Sequence, residues 1–334
     1  MDKWVDDHIF LCIRSIHLDE YNTSRKQWSQ HIDNAGGIKQ SGSQLWFAGL
    51  STPDGFIEEF NENCSSPIKN LSRQSPRPEH DAGFTYTLDD VDRISEELGI
   101  PWEKSKDQPF AATTTYIGFI WDLRASTVSL APRKVEKYLT AINEWTRRHT
   151  HVLKDVQSLY GKLLHACPAL PRGRAYLTAL EHMMRVCHDK PFMPHCPVNG
   201  IESELTWWTA RLQRGGIARP IKPPAPFFDA SAFSDASSGV GVAIVIGERW
   251  RAWRLHPDWK TMRGSQRDIG WAEAVGFELL IRTLDLLPET NSHVIVHGDN
   301  TGVVEGWWNG RHRNIDTNHI FRQIHDFLLE ANRI

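Results

Sequence analysis

The chain has no excess of positive charge, few cysteines and no long apolar run, and each shortage removes a class of protein. Its 38 Lys and Arg against 41 Asp and Glu leave a formal net charge of -3. That excludes a polyanion binder working by overall attraction, so any contact with nucleic acid has to come from local Lys and Arg clusters. Five cysteines, Cys12, Cys64, Cys167, Cys187 and Cys196, are too sparse over 334 residues for a disulfide framework and point to a reducing compartment. The opening Met1-Asp2-Lys3-Trp4-Val5-Asp6-Asp7 has acids where a secretory signal needs an apolar core, and no apolar run reaches membrane-spanning length. The expectation is an intracellular protein, cytoplasmic or nuclear, with no membrane partner. The scattered serines and histidines carry no local nucleophile signature, and Gly239-Val240-Gly241 is too short for a dinucleotide loop. Cys187-His188 and His195-Cys196 flank a short proline-containing loop, but Cys187 continues an apolar helix face, so zinc is not expected there.

What is present is a globular composition, 40% hydrophobic and 24% charged, in a chain long enough for two or three compact units. Residues 3–14 read as a hairpin with Asp6 and Asp7 at its turn. Residues 35–82 hold Gly36-Gly37, Pro53-Asp54-Gly55, Pro67 and Ser75-Pro76-Arg77-Pro78, the punctuation of a long surface excursion with at most short strands such as Leu45-Trp46-Phe47. A short helix is predicted over Asp89–Leu98, with Leu88, Val91, Ile94 and Leu98 on one face and Gly99 as its stop. Strands follow over 114–121 and 127–130. From Pro132 to about Gly215 the apolar spacing is helical, as in Val156, Leu159, Leu163 and Cys167. Arg219-Pro220-Ile221-Lys222-Pro223-Pro224-Ala225-Pro226 then reads as a stiff linker. Beyond it come strands at 232–234, 239–246 and 249–255, a helix over 268–287, a strand at 293–297, and helices over 300–308 and 316–332. The fold class expected is α/β, divided into 1–131, a helical 132–218, the linker 219–226, and 227–334.

Three acids after the linker sit at element ends: Asp235 at the close of a strand, Glu273 in the first turns of the long helix, and Asp299 at the close of the next strand. If the strands are neighbours and the helix packs through Phe277, Leu280 and Ile281, Glu273 faces the strand tips. Crowded carboxylates raise one another's pKa and persist where hard, oxygen-preferring cations such as Mg²⁺ share them. Two such ions can clamp the attacking and leaving oxygens of a phosphodiester. The competing reading makes them ordinary strand-end and helix-start acids, Glu273 answering the helix dipole and Asp299 capping the helix at Asn300. Asp229, also followed by Ala-Ser, competes with Asp235, which is preferred because the glycine-bearing Gly239-Val240-Gly241-Val242 follows it as a hairpin return would. In Arg249-Trp250-Arg251-Ala252-Trp253-Arg254 the alternation is expected to set the arginines on one sheet face and the rings on the other. Arg249 and Arg251 are then candidates for a phosphate backbone, or for a solvated face.

Ser234-Asp235-Ala236-Ser237-Ser238-Gly239-Val240-Gly241, Asp268-Ile269-Gly270-Trp271-Ala272-Glu273-Ala274 and His297-Gly298-Asp299-Asn300 resemble the RNase H-like domain of retroelements common in basidiomycete fungi. The resemblance implies that Asp235, Glu273 and Asp299 hold two catalytic Mg²⁺ ions and that the substrate is nucleic acid, chiefly an RNA·DNA hybrid. Trp4-Val5-Asp6-Asp7 resembles the aromatic-x-Asp-Asp box of reverse transcriptases, with Trp for the usual Tyr, which implies metal-binding roles for Asp6 and Asp7. Trp102-Glu103-Lys104-Ser105 and Tyr116-Ile117-Gly118-Phe119-Ile120-Trp121 look like later palm motifs, with Lys104 a nucleic-acid contact, and Leu153–Leu163 resembles the helical thumb or connection. The resemblance therefore spans nearly the whole chain, read as the end of a palm, a connection and an RNase H-like domain. It departs from the pattern at both ends: the earlier palm Asp and fingers would precede Met1, and the fifth strand and final acid-bearing helix would follow Ile334. The expectation is a C-terminal piece of a polymerase/ribonuclease H, or a non-catalytic relic or nucleic-acid-binding module descended from one. Two acids on a palm hairpin cannot rebuild a polymerase metal site alone. Primer extension by the purified chain is therefore expected to stay at background, and extension above it would overturn that expectation.

Overall fold

The computed structural model describes residues 8–34, 38–40, 46–51, 57–60, 66–74, 76–214, 217–221, 227–261, 267–287 and 293–331. The chain divides after Thr114 into two compact units. In the first, α1 (Leu18–Asn34) carries acids Asp19 and Glu20 in its first turn, where the dipole favours them. Asn22 on α1 exchanges two hydrogen bonds with the backbone of Ile68, donating Nδ2–H to its carbonyl at 3.0 Å and accepting its N–H at 2.8 Å. The segment expected to be a loop with short strands holds β1 (Ile38–Gln40), β2 (Trp46–Ser51) and β3 (Ile57–Phe60), a three-stranded antiparallel sheet in that order. α2 (Leu88–Glu97) starts on a Thr87/Asp90 capping box. Asp90 also takes a 2.7 Å ion pair from Arg77, with both side chains almost fully buried.

The hairpin expected over residues 3–14 does not form in its described part. Residues 8–13 are irregular, and Arg14 makes a single antiparallel bridge to Phe84. Ser15 N–H donates to Gly83 O and Thr85 N–H to Ile13 O, so the backbone of this run pairs with residues 83–85 and not with itself. Asp6 and Asp7 lie outside the described residues.

From the boundary on, the strands β4 (Thr113–Tyr116), β5 (Phe119–Asp122), β6 (Thr127–Leu130) and, later in the chain, β7 (Ala218–Pro220) form a sheet in that order. The single strand expected over 114–121 is broken because Ile117 and Gly118 adopt φ of 50° and 78°, a tight turn between β4 and β5. Five helical pieces follow: α3 (Pro132–Thr146), α4 (Leu153–Ala166), a 3₁₀ segment Pro171–Tyr176, α5 (Thr178–His188) and α6 (Ile201–Gln213). Their apolar faces meet around Leu163, Leu177, Leu180, Met183, Trp208 and Leu212, all essentially without solvent contact. Trp208 closes that core without an orphaned donor, because its indole N–H reaches Tyr176 O at 2.9 Å. The linker read at Arg219 begins inside a strand: β7 (Ala218–Pro220) pairs antiparallel with β6.

β8 (Phe227–Ser237), β9 (Gly241–Ile246), β10 (Arg249–Arg254), α7 (Ile269–Leu284), β11 (His293–His297), α8 (Thr301–Trp308) and α9 (Ile315–Glu330) complete the unit. The sheet runs β10-β9-β8-β11, an antiparallel meander with β11 added parallel to β8. The chain is an α/β protein, mixing helices with antiparallel and mixed sheets. α7 covers one sheet face, burying Leu280 on Ala232 and Ile244 and Ala272 on Val242, and α9 packs behind it through Phe321 and Ile324.

α9 is also bolted to the helical segment by polar groups. Glu204, fully buried on α6, accepts from Arg322 of α9, Thr178 Oγ1 at 3.1 Å and the Ala179 N–H at 2.9 Å. Burial pushes the Glu204 carboxyl up, and Arg322 and the N–H donor pull it back. Tyr176 donates to Asp326 at 2.6 Å, and Asn318 donates to Ala175 O at 2.8 Å. Removing one partner of a buried pair leaves an uncompensated charge, costing about 3–5 kcal/mol. Arg322→Ala is therefore expected to lower stability by about 3 kcal/mol in urea unfolding, with much of it regained in Glu204→Gln/Arg322→Met. Equal stability of Arg322→Ala and wild type would show that the pair is not buried as described.

Candidate metal centre

Parallel pairing of β8 and β11 points the carboxyl ends of both strands the same way. Phe233 pairs with His297, so Asp235 and Asp299 each stand two residues beyond one pair and are level with each other. α7 crosses β8 close by: a Cβ built at Gly276 would touch Ser234 Cβ at 3.6 Å and Asp235 O at 3.7 Å. That near approach, with Phe277 and Leu280 buried on the same helix, brings Glu273 to the strand ends. One carboxylate oxygen from each of Asp235, Glu273 and Asp299 lies within 4.8 Å of the other two. Among the described residues this is the only grouping of three or more His, Cys, Asp or Glu side chains able to share an ion.

Neither commonplace role proposed for these acids is filled by them. Asn300, not Asp299, caps α8, its side chain accepting the Val303 N–H at 3.1 Å. Asp268 caps α7 through the Trp271 N–H at 3.0 Å, and the first turn of α7 holds no acid. Glu273 sits one turn later and is buried. Asp229, the competitor of Asp235, is consumed locally: it accepts the Ser231 N–H at 2.7 Å and meets His297 Nε2 at 3.3 Å. Both contacts pull its pKa down.

Electrostatics mark Glu273 as the odd member. Burial pushes its carboxyl up to about 7, and the charges of Asp235 and Asp299 add to that, against an opposing N–H donated by Ala236. No Lys, Arg or His among the described residues forms an ion pair with any of the three. Three oxygen donors without a protein counter-charge match a hard divalent cation and match zinc poorly, since structural zinc takes sulfur and nitrogen. A bound cation would supply the positive charge that lets Glu273 ionise, would polarise a phosphoryl oxygen and would acidify a bound water.

The other candidates fall elsewhere. Lys104 belongs to the first unit and pairs with Asp92 at 3.2 Å and Glu96 at 3.3 Å, which raises its pKa and ties it to α2. In β10 the expected division of arginines from rings is incorrect, because a period of two puts Arg249, Arg251 and Trp253 on one face and Trp250, Ala252 and Arg254 on the other. Trp253 packs toward the core, and the Arg251 guanidinium lies 5.4 Å from its ring centre. Sequence reasoning passed over Gly276 and the Ala236 N–H. The small residue at 276 was a signal for close helix–strand approach, whereas a backbone donor leaves no mark on residue type. No protein-family model and no curated protein matches the chain.

Without metal, the folded protein holds the Glu273 proton more tightly than the unfolded chain does. Stability from this group is therefore largest below the ordinary glutamate range and is lost as pH rises through about 4.5 to about 7. In EDTA, Glu273→Gln is expected to gain stability over wild type on going from about pH 5.5 to about pH 8, and added Mg²⁺ is expected to narrow that gap. Urea midpoints that differ by the same amount at both pH values would contradict the site.

Proposed function

We propose that Asp235, Glu273 and Asp299 hold divalent metal ions, Mg²⁺ by preference, and that this part of the chain is an RNase H-like domain acting on phosphodiester bonds of nucleic acid, chiefly an RNA·DNA hybrid. The convergence of three carboxylates at the ends of two parallel strands and one helix, with the capping duties taken by Asp268 and Asn300, carries the reading. The sheet order β10-β9-β8-β11, with the acids on β8, after β11 and on the connecting helix, supports it further. The motifs around Asp235, Glu273 and Asp299 make retroelement reverse transcriptase/ribonuclease H the parent family of choice, with residues 1–131 as the end of a palm and residues 132–218, the helices α3–α6, as connection.

In this reading Asp235 and Asp299, exposed at the strand ends, and the buried Glu273 would hold the cation. A cation held there would favour the ionised form of Glu273, its charge offsetting the burial, and the smaller push of Asp235 and Asp299, that hold the proton on. Arg249 and Arg251 on the edge strand are exposed and available to a phosphate backbone. Mg²⁺-dependent cutting of an RNA·DNA hybrid by the purified chain is the expected outcome. Asp235→Asn should reduce it by more than the roughly 10–100-fold that loss of an outer-shell partner costs. Hybrid binding with no cutting, unchanged in Asp235→Asn, would replace the enzyme with a non-catalytic nucleic-acid-binding module.

A further inference from the structure

The face of the β8–β11 sheet opposite α7 carries a row of rings. Register pairs Trp250 with Val245, Val245 with Phe233 and Phe233 with His297, so the four side chains share one face and run across all four strands. The row spans about 14 Å at ordinary strand spacing. Residues of the other parity, Ala232, Val242 and Ile244, are the ones buried under α7. Among the described residues of this unit, no helix packs on the ring-bearing face. Trp250 is 76% exposed and Phe233 46% exposed. Phe233 and His297 stack with centroids 4.6 Å apart and planes 20° off parallel, which makes a flat two-ring platform at one end.

The next row over is low. Ala252 pairs with Ala243 and Ala243 with Asp235, so two methyl groups form a floor beside the rings that ends at Asp235 of the candidate metal centre. Beyond it stands Arg254, in register with Gly241, on the same face. The exposed row, a shallow floor and Arg254 on the far side leave a trough four residues of strand wide, roughly 13 Å; Arg249 and Arg251 belong to the other face of the edge strand. Apolar side chains gathered in one exposed row, unlike ones scattered singly, mark an interaction site. Self-association would favour continuous apolar area, whereas this face carries a single arginine, Arg254, on its edge strand and the carboxylate of Asp235 beside the rings.

We propose that this face is a stacking platform for unpaired nucleobases, on which two or three consecutive bases of a single strand lie against Trp250 and the Phe233–His297 pair while Arg254 takes up backbone phosphate. Every base offers a π face, so recognition is tolerant of sequence, and the platform leads directly to Asp235. The inference rests on the nucleic-acid reading of this domain and extends it from duplex to single strand.

The test is fluorescence anisotropy of the full chain with a labelled oligothymidylate of about 12 nucleotides, at low salt and in EDTA. Trp250→Ala is expected to weaken binding about tenfold or more, and Trp250→Phe to restore most of it. An abasic strand of equal length, which keeps the phosphates, should bind wild type as weakly as the thymidylate binds Trp250→Ala. Trp308→Ala, an exposed tryptophan on α8, should bind as wild type does. The platform is overturned by equal affinity for thymidylate and abasic strand, or by unchanged affinity in Trp250→Ala. Sedimentation showing that Trp250→Ala instead dissociates a dimer would assign the face to a second copy and overturn it too. Because no metal is present, failure of the cutting assay leaves this measurement readable, and loss of the platform leaves Mg²⁺-dependent cutting readable.

Discussion

The parallel pairing of β11 with β8 is the constraint from which the rest of the second unit follows. Parallel neighbours cannot be joined by a hairpin, so the chain has to cross the sheet, and α7 is that crossing. The crossing covers one face and leaves the other without a helix among the described residues. It also sets two strand ends side by side, which is where polar groups gather without a core to bury them in. The acids, the covered face and the ring-bearing face are three consequences of one choice of strand direction.

Around that arrangement the polar contacts divide by burial. Glu204–Arg322 and Tyr176–Asp326 tie α9 to the helical segment, so the helix that backs α7 is itself held from behind. Each buried charge there has a partner. At the strand ends the opposite holds: Asp235, Glu273 and Asp299 face one another, and the cost falls on the most buried of them. A fold that pairs its acids scrupulously at one interface and leaves three together a short distance away has located its charge deficit, and a cation is the chemical answer to it.

Most of the second unit was legible in the sequence because its elements obey one rule each. α7 has an apolar stripe of helical period, β9 is a short apolar run behind a glycine-bearing turn, and the capping residues Asp268 and Asn300 sit where helix starts are expected. The three acids could be named from spacing and motif, but their convergence depends on which strands are neighbours, and residue types do not encode that. Legibility failed where local rules compete. Ile117 at positive φ breaks a run that reads as one strand, and β7 occupies the start of what reads as a proline linker because Pro220 sits at a strand edge with no N–H to satisfy. The helix α1 went unread, its sequence Leu18–Asn34 being polar nearly throughout and its stripe too thin to stand out. The division of arginines from rings in β10 failed on parity alone.

The irregularity in β8 has a consequence for the candidate centre that its own position conceals. Between the pairs Ile295–Asp229 and Val296–Ala232, β8 spends three residues where β11 spends one. Ser231 at φ 49° and the Asp229 side chain on its N–H hold the surplus in place. Had the earlier register simply continued, Asp299 would stand level with Phe233, and Asp235 would overshoot it by two residues, about 7 Å of strand. The kink at 230–231 thus works as a take-up for slack, trimming the reach of one strand so that two carboxylates finish side by side. The spacing of the acids is set several residues upstream, by an aspartate that bends its own backbone at Ser231 and holds His297 on the neighbouring strand.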